Sequence, residues 1–296
     1  MDMYAAASAL GVLTVSPAAL DISGLSGSNL AWLAAALVVA GLVTGFLSGL
    51  LGIGGGGILV PVLYETFGAI GVAPGIRMHM ALATSLAVIV VTSWSSFRAH
   101  RDRGAVDLGF LRRLGPWVLL GVVLGILVAS RSSSNGLKWM WIVFGSIMAL
   151  KMAFGRDDWK LGAEIPKSFA VEAFAAAVGF VSVLMSIGGG AYMVTLMTLY
   201  GRPLLQAVAT SSGFGPVIAI PGMLGFVWTG WGVEGLPPLS LGYVSVIGAV
   251  AIIPTGIFAA PWGVRLAHGI PKRRLEIAFA IFLTLVVLRF AVSMLA

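Results

Sequence analysis

The chain has 296 residues, of which 59% are apolar and only 10% are charged, whereas a soluble domain carries about 25% charged residues. This composition excludes a water-soluble globular protein and indicates an integral membrane protein. The 18 Lys and Arg residues outnumber the 11 Asp and Glu residues, and in a membrane protein such an excess marks cytoplasmic loops rather than a nucleic-acid surface. The absence of cysteine excludes disulfides, a thiol nucleophile and cysteine metal ligands.

Apolar runs account for most of the chain after a tail at residues 1–30, which lacks the basic start of a signal peptide. About 20 apolar residues cross a bilayer, and no run shows the period-two alternation of a strand, so we expect an all-α membrane protein. Runs 58–70 and 191–200 are too short to cross. The runs are 31–51, 58–70, 79–97, 114–130, 138–154, 169–186, 191–200, 206–228, 240–260 and 275–295.

A glycine-rich segment occurs twice, directly before each of the two short runs. Residues 45–56 read GFLSGLLGIGGG and residues 179–190 read GFVSVLMSIGGG, with eight of twelve positions identical at an offset of 134. Residues 81–85 (ALATS) also return as 207–211 (AVATS). Two matches in the same order indicate an internal duplication. Each repeat therefore consists of a glycine-broken helical hairpin followed by three transmembrane helices.

Loop charge predicts that the two repeats have inverted topology. Loops 98–113 and 261–274 are basic and should be cytoplasmic, whereas 229–239 has no Lys or Arg and should be external. The equivalent loops 98–113 and 229–239 then lie on opposite sides of the membrane. Fourteen of the eighteen Lys and Arg residues fall inside. We expect an external tail at 1–30, a first repeat at 31–155, a cytoplasmic linker at 156–168, a second repeat at 169–296, and both chain termini outside.

The glycine breaks are the first candidate binding site. A helix start exposes unpaired N–H groups and a partial positive charge, and glycines ahead of it let an anion approach the backbone. Two inverted breaks would direct two helix N-termini at one point near the bilayer midplane, where secondary transporters bind substrate. Glycines that only allow close helix crossing are the structural alternative. Charge does not distinguish hairpins that cross fully from hairpins that re-enter. The candidate glycines are Gly54, Gly55, Gly56, Gly188, Gly189 and Gly190.

Hydroxyl residues repeat with the glycines and could donate hydrogen bonds to an oxyanion without burying a charge. The alternative is that each hydroxyl only bonds its own helix backbone. Gln206 precedes Thr210 by four residues, on the same helix face, and could add an amide donor. The candidates are Ser48 with Ser182, Thr84 with Thr210, and Ser85 with Ser211.

Three charged or titratable residues are candidates for the mouths of the pathway or for ion coupling. Arg77 and Arg202 occupy equivalent places ahead of the third helix of each repeat and could attract anions, although interfacial snorkelling is the simpler explanation. His79 could be a proton-linked group, with a water-satisfied histidine at a helix end as the alternative.

Four segments together resemble the TauE/SafE family, the sulfite exporter or toluene-sulfonate uptake permease group. They are GIGGG at 52–56 followed by Val60-Pro61, ATSL at 83–86, HRDRGAV at 100–106, and GVRLAH at 263–268 with Leu275 and Phe279. The second repeat departs from this pattern, with Ser186 in place of glycine and Thr195 in place of proline. The resemblance covers residues 31–296 and implies a secondary carrier for small oxyanions such as sulfite, sulfoacetate, sulfonates or thiosulfate.

The sequence therefore predicts an inner-membrane transporter that moves a small anion by alternating access. A sodium-coupled carrier or channel for a different small solute is the alternative. A membrane serine hydrolase built on Ser211 or Ser212 would need a general base within reach, and His100 and His268 both lie in basic loops. We thus expect no enzymatic activity, no cofactor, no metal site and no nucleic-acid partner. Proton coupling and a homo-oligomer remain open.

Overall fold

Eleven helices and one short hairpin make up the described part of the chain in the computed structural model. It describes residues 27–51, 56–155, 161–162, 164–267 and 271–295. The first five helices are α1 (Gly27–Leu51), α2 (Gly56–Ala69), α3 (Pro74–Asp102), α4 (Leu108–Arg131) and α5 (Ser134–Phe154). The others are α6 (Phe169–Met185), α7 (Gly190–Leu199), α8 (Leu204–Ser212), α9 (Phe214–Thr229), α10 (Val246–Ala267) and α11 (Lys272–Leu295).

Each predicted apolar run corresponds to a helix, with two corrections. The run predicted at 206–228 is divided at Gly213, because Pro216 has no N–H with which to bond the Ser212 carbonyl. The run predicted at 240–260 begins as an antiparallel hairpin, β1 (Ser240–Leu241) with β2 (Val244–Ser245), and only then becomes α10. The fold is otherwise all-helical over the described ranges.

Within the described ranges, six segments are long and apolar enough to cross a membrane. They are Pro74–Asp102, Leu108–Arg131, Ser134–Phe154, Leu204–Thr229, Val246–Gly263 and Glu276–Met294. The last segment of each glycine-broken pair is short, 14 residues in α2 and 10 in α7, as the sequence predicts. Neither α2 nor α7 has the length of about 20 residues that a full crossing requires.

The helix contacts of the first repeat have counterparts in the second repeat. The most extensive contacts are α1 with α10 and α4 with α6. In the sequence repeat, α1 is equivalent to α6 and α10 to α4, so each contact is the counterpart of the other. Helices α3 with α9 and α5 with α11 also pack together, and both pairs join equivalent helices.

Glycines allow these helices to cross closely. A Cβ added at Gly45 of α1 would overlap the backbone of Gly256 in α10, and one at Gly179 of α6 would overlap the Val118 carbonyl of α4. Small residues at crossings are typical of membrane helices, where backbones must approach closely to pack. Gly45 and Gly179 both begin the duplicated segment, so the structural alternative of close helix crossing applies to these two positions.

The outer surface is apolar, as expected of a protein in lipid. On α4, Leu114, Val118 and Val122 are buried, while Leu120 and Leu124 point outward and are nearly half exposed. A soluble protein would place polar residues on that outer face. The interior instead holds the polar groups, including Thr84, Ser85, Ser182 and Thr210, each with no exposed surface.

Candidate functional site

The second glycine break reverses the chain inside the protein. Helix α6 ends at Met185 and is capped by Ser186, which adopts a left-handed backbone with φ of 52°. Helix α7 is preceded by Gly189, with φ of 69°. Positive φ is uncommon for a residue with a Cβ, so Ser186 needs support from its surroundings. The Ser186 hydroxyl donates a hydrogen bond of 3.1 Å to the Leu82 carbonyl of α3. This bond joins the break to the third helix of the first repeat.

The start of α2, which follows the first glycine-rich segment, meets the second glycine break. Gly54 and Gly55 lie outside the described residues, as does the side chain of Ser48, but α2 starts at the buried Gly56. A Cβ added at Gly56 would overlap the Ser186 carbonyl oxygen, so the start of α2 lies directly against the end of α6. The side chain of Ile89 would lie 2.9 Å from that Cβ and 3.9 Å from one added at Gly188. One residue of α3 thus contacts both breaks.

The buried hydroxyls of Ser85 and Ser93 on α3 and of Ser182 on α6 have no hydrogen-bond partner among the described residues. Ser85 and Ser93 lie four residues before and after Ile89, on the same face of α3. The Ser93 hydroxyl is 2.9 Å from where a Cβ on Gly215 would sit, and Gly215 in turn neighbours Gly188. The Ser182 hydroxyl is 3.4 Å from the equivalent point on Gly189. Because unpaired buried hydroxyls are costly, these three groups suggest a place where a ligand or water completes them.

The two threonines of the duplicated ATS segment have partners instead. Thr84 Oγ1 accepts a hydrogen bond of 2.9 Å from the backbone N–H of Ser245, and Thr210 Oγ1 accepts one of 2.9 Å from that of Asp107. Thr84 therefore holds the residue before α10, and Thr210 holds the residue before α4, so each threonine contacts the other repeat. Ser211 donates to the Val208 carbonyl of its own helix, as the structural alternative predicts. Gln206 is partly exposed at the start of α8.

Arg77 and Arg202 differ in their surroundings. The Arg77 guanidinium donates to the Val72 carbonyl at 3.1 and 2.7 Å and lies 5.4 Å from the centre of the Tyr64 ring. Arg202 is exposed in the turn between α7 and α8. Only Arg77 is thus integrated into the helix packing.

His79 is buried near the start of α3. Only 5% of its surface is exposed, and its ring stacks on Tyr243 of the hairpin with centroids 4.9 Å apart. Its Nε2 lies 3.2 Å from the Ala129 carbonyl oxygen, which can only accept, so Nε2 carries the hydrogen. Nδ1 is buried and has no partner in the described part of the chain. Burial raises the pKa of the Tyr243 phenol, which therefore stays neutral beside His79.

Sequence reasoning missed two features. Ser93 could have been found from its spacing of eight residues from Ser85, which repeats one helix face. Lys138, buried near the start of α5, could not, because its burial depends on helices distant in sequence. Within the described ranges, no three His, Asp or Glu side chains are close enough to hold a metal ion.

Apolar helices that enclose two paired helix breaks define a multi-pass membrane protein. The family described as "Sulfite exporter TauE/SafE" matches residues 37–290. The chain belongs to this family and is a membrane transporter. Similar proteins include a "Probable membrane transporter protein" of Haemophilus influenzae, 30% identical over 84% of this chain and 94% of its own length. The probable membrane transporter protein YunE of Bacillus subtilis is 28% identical over the same shares. A probable membrane transporter protein of Methanocaldococcus jannaschii is 27% identical over 81% and 89%. No solved structure matches the chain.

Proposed function

We propose that the protein is a secondary transporter that moves small sulfur-containing or organic oxyanions across the inner membrane by alternating access. The substrates in view are sulfite, sulfoacetate, sulfonates and thiosulfate. The observation that carries this proposal is the contact between the start of α2 and the second glycine break, together with three buried serine hydroxyls that have no partner among the described residues. A bound oxyanion would accept hydrogen bonds from these hydroxyls, which have no acceptor among the described residues.

The start of α2 and the start of α7 supply the positive potential that an anion needs. Gly56 and Gly190 begin these helices, and both are buried. Unpaired N–H groups at a helix start favour an anion, and a low-dielectric surrounding strengthens that attraction. Ile89, the described side chain that lies near both breaks, is apolar, and Ser182 beside Gly189 carries a hydroxyl, so neither repels a negative charge. In this proposal the N–H groups of Gly54–Gly56 and Gly188–Gly190 act together with Ser85, Ser93 and Ser182.

Two inverted repeats, 31–155 and 169–296, would provide the alternating access. The helix contacts support this organisation, because the contact of α1 with α10 is equivalent to the contact of α6 with α4 in the sequence repeat. Thr84 and Thr210 support it as well, since Thr84 holds the start of α10 and Thr210 holds the start of α4, each in the other repeat. We propose that both termini are external and that 156–168 is a cytoplasmic linker, in keeping with the excess of Lys and Arg on the inner side.

Anion uptake into proteoliposomes of the purified protein tests the proposal. The panel is sulfite, thiosulfate, sulfoacetate, taurine, sulfate and lactate, each with and without a pH gradient and with and without a sodium gradient. Saturable uptake of one of the oxyanions supports the proposal. Uptake that occurs only with a sodium gradient would support the sodium-coupled alternative. Absence of uptake by folded protein would contradict the anion substrate.

A further inference from the structure

A lysine is buried near one surface of the helix bundle. Lys138 lies in the second turn of α5, and only 5% of its surface is exposed. Its ammonium lies 4.8 Å from the centre of the Tyr64 ring of α2 and 3.5 Å from the Ser293 hydroxyl of α11. The ring face gives electrostatic stabilisation, and a single long hydrogen bond adds little. Neither replaces the hydration that a buried ammonium loses.

A second cation shares the same ring. Arg77 of α3 lies 5.4 Å from the centre of the Tyr64 ring, and its guanidinium donates to the Val72 carbonyl. Two positive groups on one small aromatic ring repel each other in a medium of low dielectric. Their joint presence therefore calls for a negative charge.

No described carboxylate supplies that charge. Glu65 is next to Tyr64 in sequence, but Arg289 binds it at 3.1 and 3.3 Å. Across the described residues, neither Lys138 nor Arg77 forms a salt bridge. The acid that is nearest in sequence is thus already paired, and the two cations over Tyr64 lack a counter-ion among the described residues.

The cluster of cations around Tyr64 also accounts for most of the Lys and Arg residues that the proposed topology places on the outer side. The proposed topology leaves four Lys and Arg residues outside: Arg77, Arg131, Lys138 and Arg289. Three of these four surround Tyr64 and Glu65, while Arg131 is exposed. Cations on the outer side oppose the usual bias, so their concentration at one place indicates a local requirement for positive charge.

We propose that Lys138 and Arg77 bind an oxyanion beside Tyr64, at the membrane face where α2 ends and α5 begins. The site is separate from the glycine breaks, and its transport role rests on the proposed function, because there it would receive the substrate before translocation. Two sources offer this chemistry, namely a free oxyanion and the phosphate of an anionic lipid headgroup.

Thermal unfolding of the purified protein in nanodiscs distinguishes the two sources, with thiosulfate and phosphatidylglycerol as probes. A ligand that binds only the folded protein raises Tm. A larger rise with thiosulfate in neutral phosphatidylcholine for the wild type than for K138M assigns the site to a free oxyanion. A larger rise with phosphatidylglycerol, and none with thiosulfate, assigns it to lipid phosphate. Equal responses of wild type and K138M to both probes would overturn the site.

Initial-rate uptake in oriented proteoliposomes then tests the transport role. We expect K138M to raise KM about tenfold for anion added at the face where α5 begins, with kcat little changed. K138R should restore part of the affinity, and R131Q, which alters an exposed cation, should keep the wild-type KM. A wild type without flux would contradict the proposed function while the Tm measurement still decides the site. Unchanged KM in K138M at both faces would overturn the role in transport.

Discussion

The hydroxyl oxygen of Thr210 accepts a hydrogen bond of 2.9 Å from the backbone N–H of Asp107, 103 residues away in sequence. Asp107 in turn caps α4, because its carboxylate accepts a hydrogen bond from the Phe110 N–H. Thr84 repeats the arrangement with Ser245, whose hydroxyl accepts from the Gly248 N–H near the start of α10. The duplicated threonines therefore anchor two helix caps, each in the opposite repeat.

Replacing either threonine should destabilise the protein. T210V and T84V remove the acceptor but keep the shape, which leaves a backbone N–H without its partner and costs about 1–3 kcal/mol. We expect a lower Tm for both variants in detergent. T210S keeps the hydroxyl and should stay near the wild-type Tm. S211A removes a hydroxyl that bonds only its own helix, so a Tm loss as large as that of T210V would contradict the role of the cap contact.

The unpaired serines should behave in the opposite way. Because the hydroxyls of Ser85, Ser93 and Ser182 have no described partner, S85A, S93A and S182A remove no hydrogen bond to a described residue and should leave Tm unchanged or slightly higher. Anion flux should fall about tenfold or more if these groups donate to the substrate, since such a bond to a charged group contributes about 1.5–3 kcal/mol.

Uptake and thermal unfolding measured on the same preparations separate the two effects. Wild-type flux in all three serine variants would contradict the hydroxyl site. A marked loss of Tm in all of them would show that the hydroxyls are structural.

The helices were largely predictable from sequence, whereas the partners of the polar side chains were not. Apolar runs and the glycine duplication fix helix positions because they depend on local spacing. The division at Gly213 depends on Pro216, and that signal was present in the sequence. By contrast, no local sequence signal indicates that Thr84 bonds Ser245, or that the hydroxyl of the adjacent Ser85 has no partner among the described residues. These contacts arise from the packing of distant helices, which composition and periodicity do not encode.

The variant G188A tests whether an anion approaches the backbone at the second glycine break. A Cβ added there would lie 3.8 Å from Gly215 Cα and 3.9 Å from Ile89 Cγ2, which is ordinary contact, so G188A should fold. It should nevertheless lower flux, because the added methyl group occupies space where an anion would approach the backbone. Uptake and Tm are the measurements.

Variants of two other glycines serve as controls for G188A. G189A should lose stability, since Gly189 has φ of 69° and its Cβ would lie 2.6 Å from Ile218 Cδ1. G115A lies in α4 with open space around its Cβ and should keep both flux and stability. If G188A and G115A transport equally well, the backbone of Gly188 does not contact the substrate.

His79 tests whether protons are coupled to the anion. Its Nδ1 is buried without a described partner, and its neighbours are the Tyr243 ring, the Phe226 ring and the Ala129 carbonyl. A proton bound at Nδ1 would add a positive charge near no described carboxylate, and such a charge favours the arrival of an anion. We expect H79Q to transport the anion down its gradient but to lose the stimulation by a pH gradient. H100Q, at the other end of α3, should keep that stimulation. An unchanged response of H79Q to the pH gradient would place any coupling group elsewhere in the chain.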